Sequence, residues 1–406
     1  MRRMKSQASA LFQRVGFAAF LVAHVLPPAA RPCTIAVVSG RATADGRPLL
    51  WKNRDVANQD NVVRFYSGKV HSYLGLSDAG VTDKIFAGLN SAGLAIVNAV
   101  SSDLEGTGDS ENGAFIKRIL EECATVDEAD ALLAATNVAG RKTQANFGII
   151  DAGGRAAIFE TGNHSFVRFD AEASPSGILV RTNYAFTGAA PENGEGFIRF
   201  DRANAILGPA AAARTIDVRF LFDRAARDLV NEDVDPYPLP FEGSQNGHPP
   251  GYLRTDYSIN RYKTASAVVV HGAAAGEDPG LATMWCLLGE PVCGIALPLW
   301  VRAGDTPYEF RGTFFSPLRE AVKFRETAGY TDSASDRYLD TRLLADERGR
   351  GLAVFIARLE SFIFSSAGSA LKAWRKTPPA AAAVRSAQNQ IAFWAYRKYL
   401  AGSLAY

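Results

Sequence analysis

Cys33 is the residue whose type and position hold the most chemistry. The segment before it has the marks of an export signal. Arg2, Arg3, Lys5 and Arg14 form a basic leader, residues 15–26 are apolar except for His24, and Pro27, Pro28, Ala29 and Ala30 close the stretch with small residues. The apolar run is shorter than the roughly 20 residues of a membrane-spanning helix. A cysteine uncovered as the first residue of a chain carries a thiol and a free α-amine together. That amine titrates at about pH 8. It can take the thiol proton and return it to a leaving amine, so base and acid steps need no histidine. Of the five histidines, His24 lies in the leader, and His71, His164, His248 and His271 show no spacing that pairs them with Cys33. Pro32 stands directly before Cys33. A signal cut after Ala30 therefore leaves Arg31 and Pro32 attached, and a second step is expected to free the amine. Until then the amine is an amide and has no basicity to offer.

The elements that must position Cys33 are legible around it. Residues 34–39 are β-branched and apolar, Ala44, Asp45, Gly46 and Arg47 form a turn, and residues 48–53 return as a second strand. Cys33 and Asp55 then sit at the open ends of one hairpin. Further strands are expected at 62–66, 70–76, 84–89, 94–100, 145–150, 156–160, 166–170 and 178–183. Helical spacing covers 113–123 and 126–136, the second opening on a capping-box pattern from Thr125 to Glu128. Helices are also expected at 197–207 and 215–229, a long loop at 231–260, strands at 265–270, 282–287 and 294–298, and a largely helical stretch from about 317. Hairpin-linked strands interrupted by helix pairs point to an α+β sandwich, with two antiparallel sheets face to face and helices outside. No composition shift forces a domain boundary, so 1–32 reads as signal peptide and short pro-segment and 33–406 as one domain.

Composition narrows the function classes. The chain has 44 basic and 42 acidic residues, 47% hydrophobic and 21% charged. That balance does not favour nucleic acid or an anionic membrane. No strand-linked phosphate loop argues for a nucleotide, and no cysteine set has zinc spacing. The expectation is a small-molecule substrate, no metal or cofactor, no membrane after processing, and an exported, periplasmic or secreted location; a homo-oligomer stays open. Cys286 and Cys293 are close enough in sequence to pair in an oxidising compartment, whereas Cys123 reads as a small buried hydrophobe.

The stretch from Cys33 to Asp55, CTIAVVSGRATADGRPLLWKNRD, resembles the N-terminal hairpin of the choloylglycine hydrolase group of N-terminal-nucleophile hydrolases. That group includes bile salt hydrolases, penicillin V acylases and, more distantly, isopenicillin-N acyltransferase-like amidohydrolases. The resemblance implies a four-layer αββα sandwich and cleavage of linear, non-peptide amides through an acyl-enzyme. It implies Cys33 as nucleophile and Asp55 as the holder of its α-amine. Lys52 stands where the group usually has arginine, and is assigned to substrate binding beside the cysteine; it keeps the charge and loses the bidentate fork. The stretch GLNSAGLAIVN (88–98) places Asn98 as an oxyanion donor. LVRTNYAFTG (179–188) places Asn183 beside the amine or substrate, with Tyr184 as a pocket wall. GFIRFDRANAI (196–206) gives Arg199 as electrostatic support for the cysteine. The stretches SINR (258–261) and TMWCLLGEP (283–291) are similar to the isopenicillin-N acyltransferase-like branch.

Other readings stand beside these. Taken alone, Cys33 also fits a half-cystine or a lipid-attachment site, although the residues before it do not form a lipobox. Asp55 also fits a turn cap, Asn98 and Asn183 strand-end asparagines bonding backbone, and Arg199 a surface ion pair. An acyl-enzyme attacked by an amine instead of water would make the protein an acyltransferase. A decayed, non-catalytic binding protein is the reading from another class.

Overall fold

The computed structural model describes residues 32–189, 196–331 and 337–402. Residues 1–31, where the export signal and most of the pro-segment are expected, lie outside the described residues.

The expected hairpin is there. β1 (Cys33–Val38) and β2 (Leu49–Asp55) are antiparallel, with Cys33 opposite Arg54 and Ile35 opposite Lys52. Both strands are buried along their whole length; β1 and the first half of β2 read accordingly as continuous apolar runs rather than as alternation, while the second half of β2, KNRD, is polar and buried. The chain then winds through seven neighbouring antiparallel strands: β3 (Asn61–Tyr66), β4 (Tyr73–Asp78), β5 (Ala87–Asn90), β6 (Ala95–Val100), and, after α1 (Asn112–Glu122) and α2 (Val126–Thr136), β7 (Ala145–Ile150), β8 (Ala156–Thr161) and β9 (Phe166–Asp170). α2 begins where the capping pattern puts it, with the Thr125 hydroxyl accepting from the Glu128 backbone N–H.

β10 (Ile178–Arg181) returns to pair with β1. After α3 (Phe197–Ala212) and the short α4 (Val218–Phe220), β11 (Tyr252–Arg254) lies in the expected long loop. β12 (Thr264–His271), β13 (Thr283–Leu288) and β14 (Leu297–Leu299) then complete a six-stranded sheet in the order β10-β1-β2-β12-β13-β14. α5 (Pro317–Gly329), β15 (Tyr338–Asp340), α6 (Leu352–Trp374) and α7 (Ala381–Ala401) follow. The loop hides a strand because β11 pairs with the distant β15, a contact no local pattern announces.

The six-stranded sheet packs on the seven-stranded one through β1 and β2 against β6 and β7; α1 and α2 cover the outer face of the second sheet, and α3, α4, α5 and α7 that of the first. This is the αββα arrangement. Ile35 and Val37 sit in the core between the sheets, where burying each such side chain contributes about 1.5–3 kcal/mol. The sheets meet closely at Gly148, where a Cβ would lie 3.0 Å from both Leu50 Cδ1 and Val37 Cγ2.

One expectation changes, and one feature was not foreseen. Cys286 and Cys293 are both free, buried thiols, and burial pushes each thiol's pKa up. The sequence also conceals that α6 is long and apolar enough to cross a membrane, with a mean hydropathy of 1.3 over its most apolar window. Its Leu352, Ile356, Leu359, Ile363, Ala367 and Leu371 are buried at helical spacing, the pattern of a helix packed on one side.

Candidate active site

Three of the residues expected at the site, Cys33, Asn183 and Arg199, converge on the start of β1. The Cys33 backbone N–H donates to Asn183 Oδ1 at 2.7 Å, and the Cys33 carbonyl accepts from Arg199 Nη1 at 2.6 Å. Arg199 also donates to Thr34 Oγ1 at 2.9 Å and, through Nη2, to Asn183 Oδ1 at 2.9 Å. Asn183 Nδ2 donates to the Val100 carbonyl across the sandwich. That bond fixes which end of the amide faces Cys33. Arg199 is therefore no surface ion pair; it is 3% exposed and ties β1 to the loop after β10.

α3 can deliver Arg199 because Gly196 caps it at φ 88°, a conformation only glycine adopts cheaply. A Cβ there would also press on the Arg199 guanidinium and on Thr182 Cβ. Gly196→Val is expected to displace Arg199 and the Asn183 loop together. The result should be a lower melting temperature and at least about tenfold slower turnover, an effect of the size that small misplacements near a site produce; thermal melts and initial rates check it.

Asp55 departs from its assigned partner. Its Oδ1 accepts from the Thr264 hydroxyl at 2.7 Å, and its Oδ2 lies 3.6 Å from Arg261 Nη1. Oδ2 is buried with no hydrogen-bond partner among the described residues. The Cys33 nitrogen, still joined to Pro32, has one proton and gives it to Asn183. The Asp55 backbone N–H instead bonds the Pro32 carbonyl at 3.1 Å. Burial raises the Asp55 carboxyl pKa, against the opposing pull of Arg261 and Arg199.

Lys52 is corrected more sharply. All three ammonium protons are spent within the protein: on the Phe86 carbonyl at 3.1 Å, the Asn98 carbonyl at 2.6 Å and Asn98 Oδ1 at 2.7 Å. A lysine has only three donors, so Lys52 orients Asn98 and has no proton left for a substrate. With Oδ1 taken, Nδ2 is the end of Asn98 that can donate elsewhere. Tyr184, expected as a pocket wall, is 1% exposed. Its ring packs among Phe186, Phe197 and Phe200, and burial raises its hydroxyl pKa to about 12.

Burial lowers the Lys52 pKa to about 8, with the charge of Cys33 pulling the other way. A neutral amine offers two protons and a lone pair to three oxygens, so its hold on Asn98 loosens as the proton leaves. Turnover is expected to fall as pH rises through about 8, read from a kcat profile. Stability moves oppositely: between about 8 and the ordinary lysine value of 10.5 the unfolded chain binds a proton that the folded one does not, so this group's contribution to stability rises with pH in that window.

Several supporting residues escaped the sequence reading. Asn146 on β7 donates through Nδ2 to the Thr182 and Tyr184 carbonyls at 3.1 and 2.9 Å, clamping the Asn183 loop from both sides. Glu160 pairs with Arg181 at 2.6 Å and accepts from the Phe186 and Thr187 N–H groups. The available signal was a polar residue inside an otherwise apolar strand: Asn146 in ANFGII, Glu160 in AAIFET.

Residues 41–213 match the family model described as acyl-coenzyme A:6-aminopenicillanic acid acyl-transferase. No curated protein matches the chain. Among solved structures, a variant of the conjugated bile acid hydrolase from Clostridium perfringens is similar at 13% identity, with 63% of this chain and 89% of that one covered and a TM-score of 0.39. Penicillin V acylase from Agrobacterium tumefaciens gives 13% identity, coverages of 66% and 86%, and a TM-score of 0.38. The Caenorhabditis elegans ortholog of N-acylethanolamine-hydrolyzing acid amidase gives 13%, 46% and 86%, and 0.32. Residues 41–213 are thus the part of the chain that carries the sequence pattern of the acyl-coenzyme A:6-aminopenicillanic acid acyl-transferase family, within the N-terminal-nucleophile group that its motifs resemble.

Proposed function

We propose that the protein cleaves linear, non-peptide amides of the N-acyl amine type, with Cys33 as nucleophile once Pro32 has been removed. The observation that carries this reading is the convergence on Cys33. Asn183 Oδ1 meets its backbone nitrogen, and Arg199 meets its carbonyl and Asn183. Freed from Pro32, that nitrogen is an amine with more protons to place, and Asn183 Oδ1 and Asp55 Oδ2 are acceptors for them. The amine takes the thiol proton as Sγ attacks the amide carbon. Asn98 Nδ2 donates to the oxyanion, a preorganised donor of the kind that stabilises developing charge. The amine then returns its proton to the leaving nitrogen, and water, activated by the same amine, releases the acyl group.

Acyl transfer to an amine is the second reading, favoured by the acyl-transferase description of the family matched over residues 41–213. Product analysis with and without an added acceptor amine separates the two. Export of the chain is part of the same proposal, because it supplies the first cut before Cys33. The test is intact mass of the active protein. Its first residue should be Cys33, and full activity with Arg31 and Pro32 still attached overturns the mechanism.

A further inference from the structure

We infer that Arg54 forms an anion-binding subsite beside Cys33, so that the preferred substrates are N-acyl amides bearing a carboxylate near the scissile bond. This rests on Cys33 as the reacting residue and adds the substrate class. Arg54 is opposite Cys33 in the β1–β2 register. Directly paired residues project from the same face with Cβ atoms about 4.5–5.5 Å apart. The Arg54 side chain therefore leaves β2 beside that of Cys33, and its bonds to Asn61 and Asp78 put it on the face that meets the second sheet.

Its position is held firmly and its donors are largely unspent. Nη1 donates to Asn61 Oδ1 at 3.0 Å and to Asp78 Oδ1 at 2.8 Å. The guanidinium carbon lies 4.0 Å from the centre of the Phe86 ring. Asn61 is itself fixed by the Ser266 hydroxyl. Nε and Nη2 have no hydrogen-bond partner among the described residues, although Arg54 is only 3% exposed. The partner that fits the free side of a guanidinium is a carboxylate or similar oxyanion. Charge agrees: around Cys33, Lys52, Arg54, Arg199 and Arg261 stand against Asp55 and Asp78. Asp78 meets one nitrogen of the fork and leaves the other edge for a ligand.

The test uses ketone isosteres, with CH2 replacing the amide N–H, so that binding is read without turnover. Three probes are compared by calorimetry: the isostere of N-hexanoylglycine, with its carboxylate on the amine side; that of a glutaryl monoamide, with its carboxylate on the acyl side; and that of neutral N-hexanoylethanolamine. One carboxylate probe is expected to bind at least about tenfold tighter than the neutral one. That preference should collapse toward unity in Arg54→Leu. In the double variant Arg54→Leu, Asp78→Leu it should collapse too, with no carboxylate left unpaired to unfold the protein. Equal binding of all three probes, or a preference that survives the loss of Arg54, overturns the subsite. Turnover of N-hexanoylglycine, the glutaryl monoamide and N-hexanoylethanolamine themselves is measured in parallel. Absence of turnover of all three would sink the Cys33 reading, while the calorimetry still decides Arg54.

Discussion

Cys33→Ala is expected to lower turnover of N-acyl amides by at least about 10⁴-fold, the scale on which removing a nucleophile acts, with the melting temperature nearly unchanged. The reason is specific to this site. The contacts that hold Cys33 use its backbone: N–H to Asn183 and carbonyl to Arg199. Alanine keeps both and deletes only Sγ. A loss of activity is then chemical rather than structural. Cys33→Ser, which keeps a weaker nucleophile, should fall between the two. Initial rates and thermal melts on the same preparations check this, and an alanine variant retaining more than a small percentage of wild-type turnover is incompatible with the mechanism.

Lys52→Met carries the next largest effect. Methionine fills similar volume without a donor. Asn98 Oδ1, the Asn98 carbonyl and the Phe86 carbonyl then lose the ammonium they share, and the Asn98 amide is free to turn. Losing one oriented oxyanion donor costs about 10²–10³ in kcat. The loss should appear in kcat with KM little changed, and the decline of activity above about pH 8 should disappear with the group that titrates there. A raised KM at constant kcat would mean that Lys52 contacts the substrate after all. Lys52→Arg restores charge but brings a planar fork to a site built for a compact donor, so partial recovery at most is expected.

The sequence was most informative where function and local pattern coincide. Strand positions around Cys33, the Thr125 cap of α2 and the order of the motifs at Asn98, Asn183 and Arg199 are written in short stretches, because hydrophobic burial and capping act over a few residues. Cys33 as the candidate centre was legible for the same reason: a thiol just past a leader-like segment is a local fact. The hairpin itself was legible too, but not its register, which pairs Cys33 with Arg54.

What the tertiary structure decided is who bonds whom. Lys52 and Asn98 come from different sheets, and only the closeness of those sheets turns a presumed substrate contact into a positioning residue. Asp55 meets Thr264 and Arg261, more than two hundred residues onward, and the β11–β15 pair joins Leu253 to Leu339, 86 residues apart. The sequence reading of the Lys52–Asp55 stretch gave Arg54 no role. Only its place opposite Cys33, with donors unspent, gives it a role. Side-chain hydrogen bonds reach about 3 Å, and which groups come that close is settled by how the layers pack, not by any spacing along the chain.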